Sequence, residues 1–479
     1  MIRTAFLAAT ALSLAIPATS PVFAQAISQE EMQQRYDRAL AAGYKALFLC
    51  SAIANAERNG GTRTPESVMK WELTGIQSPL DDIVEDLPYA IVRRGQAETV
   101  EDAADISSAD GYVQSASIVH RVEVEWADDT PARMAIHTPG AGCALQPIGS
   151  TAPEIGEQVF AVTQASAEPV PSAPADSALE IVSASAFDAT YGEDSRTTAI
   201  LVMRDGTVLD EEYLPDFGPD VPQRTWSVAK SIAATLVGAA VQRGEASVGD
   251  PAGLGAGEGD PRAAITIDHA LRMASGRYSD TIGSRTDPLY YGGATVEERA
   301  TDWPLVHMPG ASWRYANNDT LMAIRAMRDG FEAHPPADFF RQVGMLHTVA
   351  ETDWQGNYIL SSQVWSTAHD LARLGQLYLN DGVLPDGTRL LPEGWVQYVS
   401  APSGPQPDGE WGYGAGWWIM SGMDGIPDDA FAALGNRGQY VVVIPSKDVV
   451  IVRRGEDPAG GSGFDIAAFT RDVLAALGK

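Results

Sequence analysis

Apolar residues recur at helical spacing through "MQQRYDRALAAGYKALFLC", and Ser28 with Glu31 places a capping-box pattern just ahead of them. A helix that carries Cys50 near its far end is therefore predicted. The pattern then changes to alternation. "YAIVRRG" and "IVHRVEVEW" read as strands, with "ADDTP" as a turn before a third, "ARMAIHT". From 163 to 178 the stretch "TQASAEPVPSAPADSA" holds three prolines among small residues, which favours an extended strap over a packed element. Beyond it, "AILVM", the turn pair Asp205-Gly206 and "TVLDEEYL" predict a hairpin. Strong strands return only near the end, as "AGWWIM", "GQYVVVIP" and "VVIVRR", before a last helix "FDIAAFTRDVLAAL". Between the two strand groups lie helical segments, including "SIAATLVGAAVQR" and "STAHDLARLGQLYLNDG", closed by Gly244 and Gly382. The predicted layout is a sheet built from both ends of one domain with a mainly helical insert, preceded by a small α+β domain.

At the start, Arg3 precedes a short apolar run that ends in small residues near Val22, Phe23 and Ala24, the form of a secretory signal over residues 1–24. An uncleaved anchor is the alternative, although Pro17 and Pro21 interrupt the run; no other segment reads as long and apolar enough to span a bilayer. The expected division is then a small N-terminal domain at 25–162, a linker at 163–178 and a larger domain at 179–479. Export to the periplasm or the medium sets an oxidising context, so the two cysteines, Cys50 and Cys143, are expected to form a disulfide, with two buried thiols as the alternative.

With 479 residues, 45% of them hydrophobic, the chain can bury a large core. The formal charge of −30, from 63 acidic and 33 basic residues, argues against a nucleic-acid partner and disfavours strongly anionic substrates at long range. The seven histidines show no metal-binding spacing, and "GLGAGEG" lacks the strand and helix that a phosphate-binding loop requires, so neither a metal nor an organic cofactor is expected.

Two Ser-x-x-Lys patterns compete. A serine hydroxyl needs a base within hydrogen-bond reach and donors for the developing oxyanion. Ser227 in "TWSVAKS" opens a helix that continues through Lys230, Ile232, Leu236 and Ala239, which puts the hydroxyl at the positive end of the dipole with the amine one turn on. Ser67 and Lys70 instead fall inside a first turn started by Thr64 and Pro65, an ordinary surface turn. Two Tyr-x-Asn patterns compete in the same way. Tyr378 and Asn380 close a helix whose apolar face includes Leu371, Leu374 and Leu377, whereas Tyr315 and Asn317 lie in "PGASWRYANNDTL", where a phenol could relay a proton and a carboxamide could hold lysine and substrate.

"SVAK" at 227–230 together with "YAN" at 315–317 resembles the paired motifs of the serine β-lactamase and penicillin-binding-protein superfamily. The interval between Ser227 and Tyr315, with "LRMASG", "HDLARLGQLYL", "YGAGWW" and "GNRGQYVVVIPSKDVVIVRRG", is similar to the class C-like esterase branch that contains aminohexanoate-oligomer hydrolases and related carboxylesterases. The resemblance covers roughly residues 180–479 and assigns no role to what precedes them. It implies an α+β fold of the β-lactamase/transpeptidase type, with an antiparallel sheet flanked by helices. It also implies an acyl-serine mechanism with Ser227, Lys230 and Tyr315 catalytic and Asn317 binding substrate. The Lys-Thr-Gly triad of β-lactamases is absent. The corresponding strand is expected to carry Gly435, Asn436, Arg437, Gly438 and Gln439, with the Asn436 backbone at the oxyanion and Arg437 either replacing the missing cation or standing exposed. The expected activity is hydrolysis of small esters or linear amides, without membrane insertion once the signal is removed. A β-lactamase or D-alanyl-D-alanine carboxypeptidase, and an inactive secreted binding protein, are the alternatives.

Overall fold

The computed structural model describes residues 27–93, 118–152 and 169–478, apart from 175, 258, 281–285 and 462. The signal expected at 1–24, and the part of the expected linker before 169, lie outside the described residues. Helices among the described residues include α1 (Gln29–Arg58), α2 (Pro65–Trp71), α3 (Ser177–Ser185), α4 (Val228–Gln242), α5 (Asn317–Ala326), α6 (Ala368–Leu379) and α7 (Ile466–Leu477). An antiparallel sheet has the order β1 (Tyr89–Arg93), β2 (Val119–Val124), β3 (Arg133–Thr138), β4 (Gly142–Leu145). In chain order the remaining strands are β5 (Thr197–Arg204), β6 (Thr207–Tyr213), β7 (Gln223–Arg224), β8 (Val349–Ala350), β9 (Val364–Ser366), β10 (Gly412–Tyr413), β11 (Trp418–Ile419), β12 (Phe431–Gly435), β13 (Gln439–Ile444) and β14 (Val449–Gly455). The largest sheet runs β10-β11-β12-β13-β14-β5-β6, and a small one runs β7-β9-β8.

The large sheet is covered on both faces, and strand alternation sorts its residues between two cores. Leu201 and Met203 of β5, Val441 and Val443 of β13, and Val450 and Val452 of β14 pack with α4 and α6. Their neighbours Ile200, Val202, Val442, Ile444, Val449 and Ile451 face α3 and α7. Burial on both sides explains why these strands read as unbroken apolar runs. The Asp205-Gly206 turn forms with both residues left-handed, at φ 49 and 71, as a two-residue hairpin requires. At the outer edge, Ser172 of the proline-rich strap pairs with Val208 of β6, which shields an otherwise open strand.

The Ser28–Glu31 capping box forms as read, and α1 is buried all round from Ala39 to Ala56. By length and composition this helix could cross a membrane, which the sequence reading did not grant to any segment beyond the signal; its apolar window is wholly buried in the protein. It packs on β2, β3 and β4, and on residues from the far end of the chain: Trp226, Leu289, Tyr290, Tyr291, Leu321, Met322, Ile359 and Trp365 share its core. Gly43 permits the closest approach, since a Cβ there would lie 1.9 Å from the Tyr291 carbonyl oxygen. The segment expected as a separate small domain thus shares one continuous core with the region that follows it.

Cys50 and Cys143 form the expected disulfide, joining α1 to β4 across a sequence separation of 93 residues. In the chain-entropy account, reducing it should lower the unfolding free energy by about 4 to 5 kcal/mol. A denaturant midpoint that is unchanged by reductant would contradict this.

Candidate active site

Ser227 is the N-cap of α4, and its side chain makes no capping hydrogen bond. The hydroxyl is engaged by the helix's own lysine instead: Lys230 Nζ donates to Ser227 Oγ at 3.0 Å. The preceding residue, Trp226, has φ 49, a left-handed backbone that a bulky side chain adopts at a cost. Its indole is held between the Arg224 guanidinium, 4.2 Å from the ring centroid, and Phe48 of α1 at 5.9 Å. The strained turn is thus fixed from behind by the N-terminal helix.

Lys230 is buried, and the remaining donors of its amine are committed, to Asn317 Oδ1 at 2.7 Å and the Ser361 carbonyl at 2.8 Å. A neutral amine has two hydrogens. With both occupied by fixed acceptors, its lone pair is left facing Ser227. Burial pushes the Lys230 ammonium down to about 7, while the negative charge of Asp280 acts in the opposite sense. Asn317 is turned the right way by its other end, where Nδ2 donates to Asp280 Oδ1 at 3.3 Å and Thr286 Oγ1 at 3.2 Å. Asp280 itself accepts the Asn318 N–H at 2.9 Å, and burial raises its carboxyl above the usual range.

Burial holds the Tyr315 phenol well above its ordinary value, so it stays protonated and able to donate, while the nearby Ser227 side chain acts in the opposite sense. Lys230 Nζ lies 4.9 Å from the centroid of its ring. Trp418 of β11 stacks on that ring at 5.8 Å, and Trp313 and Tyr413 extend an aromatic wall beside it. Beneath the loop before Asp280, Arg277 is buried with Asp319 at 3.0 Å, which ties the loop to α5.

On the opposite side runs the end of β12. A Cβ on Gly435 would lie 2.4 Å from the Thr225 carbonyl oxygen and 3.2 Å from the Ser227 nitrogen, so only glycine lets this strand pass so close to the serine. Asn436 follows, exposed at the turn. Two expectations for this stretch are corrected. Residues 436–438 form the turn between β12 and β13 rather than a strand, with only Gly435 and Gln439 paired at its ends. Arg437 is neither exposed nor turned to substrate: it is 3% exposed and ion-paired with Glu456 at 2.7 Å. Gly438 likewise faces the buried Arg453 and Asp457, where a Cβ would lie 1.6 Å from Arg453 Nη1.

The rejected patterns are structural. Thr64 caps α2 by accepting the Ser67 N–H, Ser67 Oγ takes a hydrogen bond from Arg63, and Lys70 stands exposed beside Asp216. Tyr378 is buried, sharing hydrogen bonds with Thr235 and Trp417. Sequence reasoning missed Asp280, Thr286, Ser361, Trp418 and the close approach of Gly435. Asp280 and Ser361 belong to no motif, and only the fold brings them to Lys230.

The family model described as Beta-lactamase matches residues 185–454. A 6-aminohexanoate-dimer hydrolase of Paenarthrobacter ureafaciens is 26% identical over 300 residues, which cover 54% of this chain and 73% of that protein. A Bacillus anthracis structure provisionally named a 6-aminohexanoate-dimer hydrolase superposes with TM-score 0.53 at 20% identity, over 65% of this chain and 87% of its own. A penicillin-binding-protein homologue from Caulobacter crescentus gives 0.50 at 16% identity, over 64% and 98%. At such identities the two structures speak for the fold alone.

Proposed function

This chain belongs to the beta-lactamase family of hydrolases, and from that premise we propose that it is an exported serine hydrolase cleaving esters or small linear amides through an acyl-enzyme on Ser227. The observation that carries the reading is the Lys230 amine 3.0 Å from Ser227 Oγ, with its other positions taken by Asn317 and Ser361. Neutral Lys230 takes the Ser227 proton as Oγ attacks the carbonyl carbon. The Ser227 N–H, at the start of α4, and a backbone N–H at the end of β12 near Asn436 receive the oxyanion. Tyr315 passes a proton to the departing alcohol or amine as the tetrahedral intermediate collapses. Water then attacks the acyl-serine, losing a proton to the same Lys230–Tyr315 pair, which returns one to Ser227 Oγ as the acyl product leaves. Asn317 orients both lysine and substrate.

The choice of substrate class follows from charge. The family's Lys-Thr-Gly cation is missing, and Arg437, its nearest replacement in the sequence, is committed elsewhere, which disfavours substrates anchored by a carboxylate beside the scissile bond. The aromatic wall of Trp418, Trp313 and Tyr413 suits an uncharged acyl or leaving group. The relative from Paenarthrobacter, named a 6-aminohexanoate-dimer hydrolase, supports an amide as the scissile bond. Export is supported by the leader-like first 24 residues and the disulfide.

Labelling with a fluorophosphonate, followed by assay on esters, short amides and β-lactams, tests the proposal. Labelling should map to Ser227, and turnover should be highest on the first two groups. A folded protein that resists the probe would favour an inactive binding protein, while penicillin capture followed by turnover would favour a β-lactamase or D-alanyl-D-alanine carboxypeptidase.

A pH profile adds a second check. The base must be neutral to act, so kcat/KM should fall about tenfold per pH unit below about 7 and level off above it. Asp280→Asn removes a charge that favours the protonated amine, so this acid limb should move to lower pH. A limb that keeps its position in Asp280→Asn would separate Lys230 from the titration.

A further inference from the structure

We propose that Arg437 is a positioning residue through which the N-terminal region holds the oxyanion wall in place, an inference that rests on the acyl-serine reading of Ser227. Its guanidinium grips the end of α2 and the turn beyond, donating to the carbonyls of Trp71 at 2.8 Å, Thr74 at 2.9 Å and Gly75 at 3.0 Å. The remaining contacts go to Glu456, at 2.7 Å to the carboxylate and 3.3 Å to the carbonyl. The carbonyls at a helix end have no partner within the helix, and Arg437 supplies one from more than 360 residues away. Arg196 reaches the same segment, donating to the carbonyls of Lys70 at 2.7 Å and Thr74 at 3.3 Å.

The backbone on the other side of this grip is the turn beside Ser227. Arg437 and Gly438 are both left-handed, at φ 58 and 78, and a non-glycine residue adopts that conformation at a cost. The turn also contributes the Arg437 carbonyl to Asp457 N–H at 3.2 Å and Gln439 Nε2 at 3.3 Å. Two positions upstream, Gly435 presses against Thr225 and the Ser227 nitrogen. Releasing the side chain leaves the unfavourable turn held only by its backbone contacts to Asp457 and Gln439, and its relaxation moves the strand end against which the oxyanion forms. The region before the family match, which the sequence left without a role, thereby becomes part of the catalytic scaffold.

The test compares Arg437→Met and Gly75→Ala with the full-length parent, with kcat expressed per Ser227 titrated by fluorophosphonate so that loss of folded protein does not count. Oxyanion contacts act in the transition state, so kcat should fall with KM within about threefold. For Arg437→Met the expected fall is on the order of 10- to 100-fold, the scale of a misplaced reacting group. Gly75→Ala keeps the Arg437–Glu456 pair but strains a residue at φ 70, whose Cβ would meet Pro458 at 3.2 Å, and should give a smaller fall of roughly 3- to 10-fold. If Arg437→Met does not fold, Gly75→Ala decides. Values of kcat within twofold of the parent in the folded variants overturn the inference while leaving the acyl-serine reading intact, provided Ser227→Ala is inactive. Activity retained by Ser227→Ala removes the reading and this inference together.

Discussion

Ser227→Ala should lower kcat by about four to six orders of magnitude on any ester the parent hydrolyses, the scale seen when a covalent nucleophile is removed. The fold should survive. Ser227 makes no capping hydrogen bond that alanine would forfeit, and its neighbours are fixed by other groups, Trp226 by Arg224 and Phe48, Lys230 by Asn317 and Ser361. The melting temperature should therefore shift by a few degrees at most. Fluorophosphonate labelling should vanish with the activity. A variant that melts like the parent and still turns over substrate would mean that the chemistry lies elsewhere, because no other serine meets this set of groups in the described residues.

The second large effect is expected at Lys230. Lys230→Met keeps an unbranched chain of similar length but has no nitrogen to receive the serine proton, and the loss should be roughly 10²- to 10⁴-fold in kcat/KM. It is smaller than that of Ser227→Ala because the nucleophile itself remains and the oxyanion donors are untouched. The acid limb near pH 7 should disappear along with the rate, since the group that titrates there is gone. Lys70→Met is the matching control at the other Ser-x-x-Lys. Its ammonium is largely exposed beside Asp216, and the Ser67 hydroxyl is taken by Arg63 instead, so kcat should stay within about twofold. Equal losses in the two lysine variants would sink the assignment.

The nucleophile, base, phenol and carboxamide were legible in the sequence because they fall in two short patterns whose joint occurrence carries more information than either alone. The strands β13 and β14 were legible for a different reason: covered on both faces, they read as unbroken runs of valine and isoleucine. β12 was not, because "FAALG" is short and made mostly of small residues that suit many conformations. Asp280 and Ser361 had no local signature at all. Their roles arise only where Asp280 and the turn before β9 converge on Lys230. Arg437 shows the opposite failure. Its charge was visible, but a side chain in an extended strand and one at a left-handed turn point in different directions, and the sequence did not reveal which applied.

The all-round burial of α1 from Ala39 to Ala56 has a consequence for biosynthesis. The residues that enclose it, Trp226, Tyr290, Leu321 and Trp365 among them, are translated long after it. Until they emerge, the apolar stretch of this helix lacks the surfaces that cover it in the folded protein, a state prone to aggregation. Cutting the gene between the two parts should yield two insoluble fragments, each bearing half of a buried seam, that become soluble only when made together.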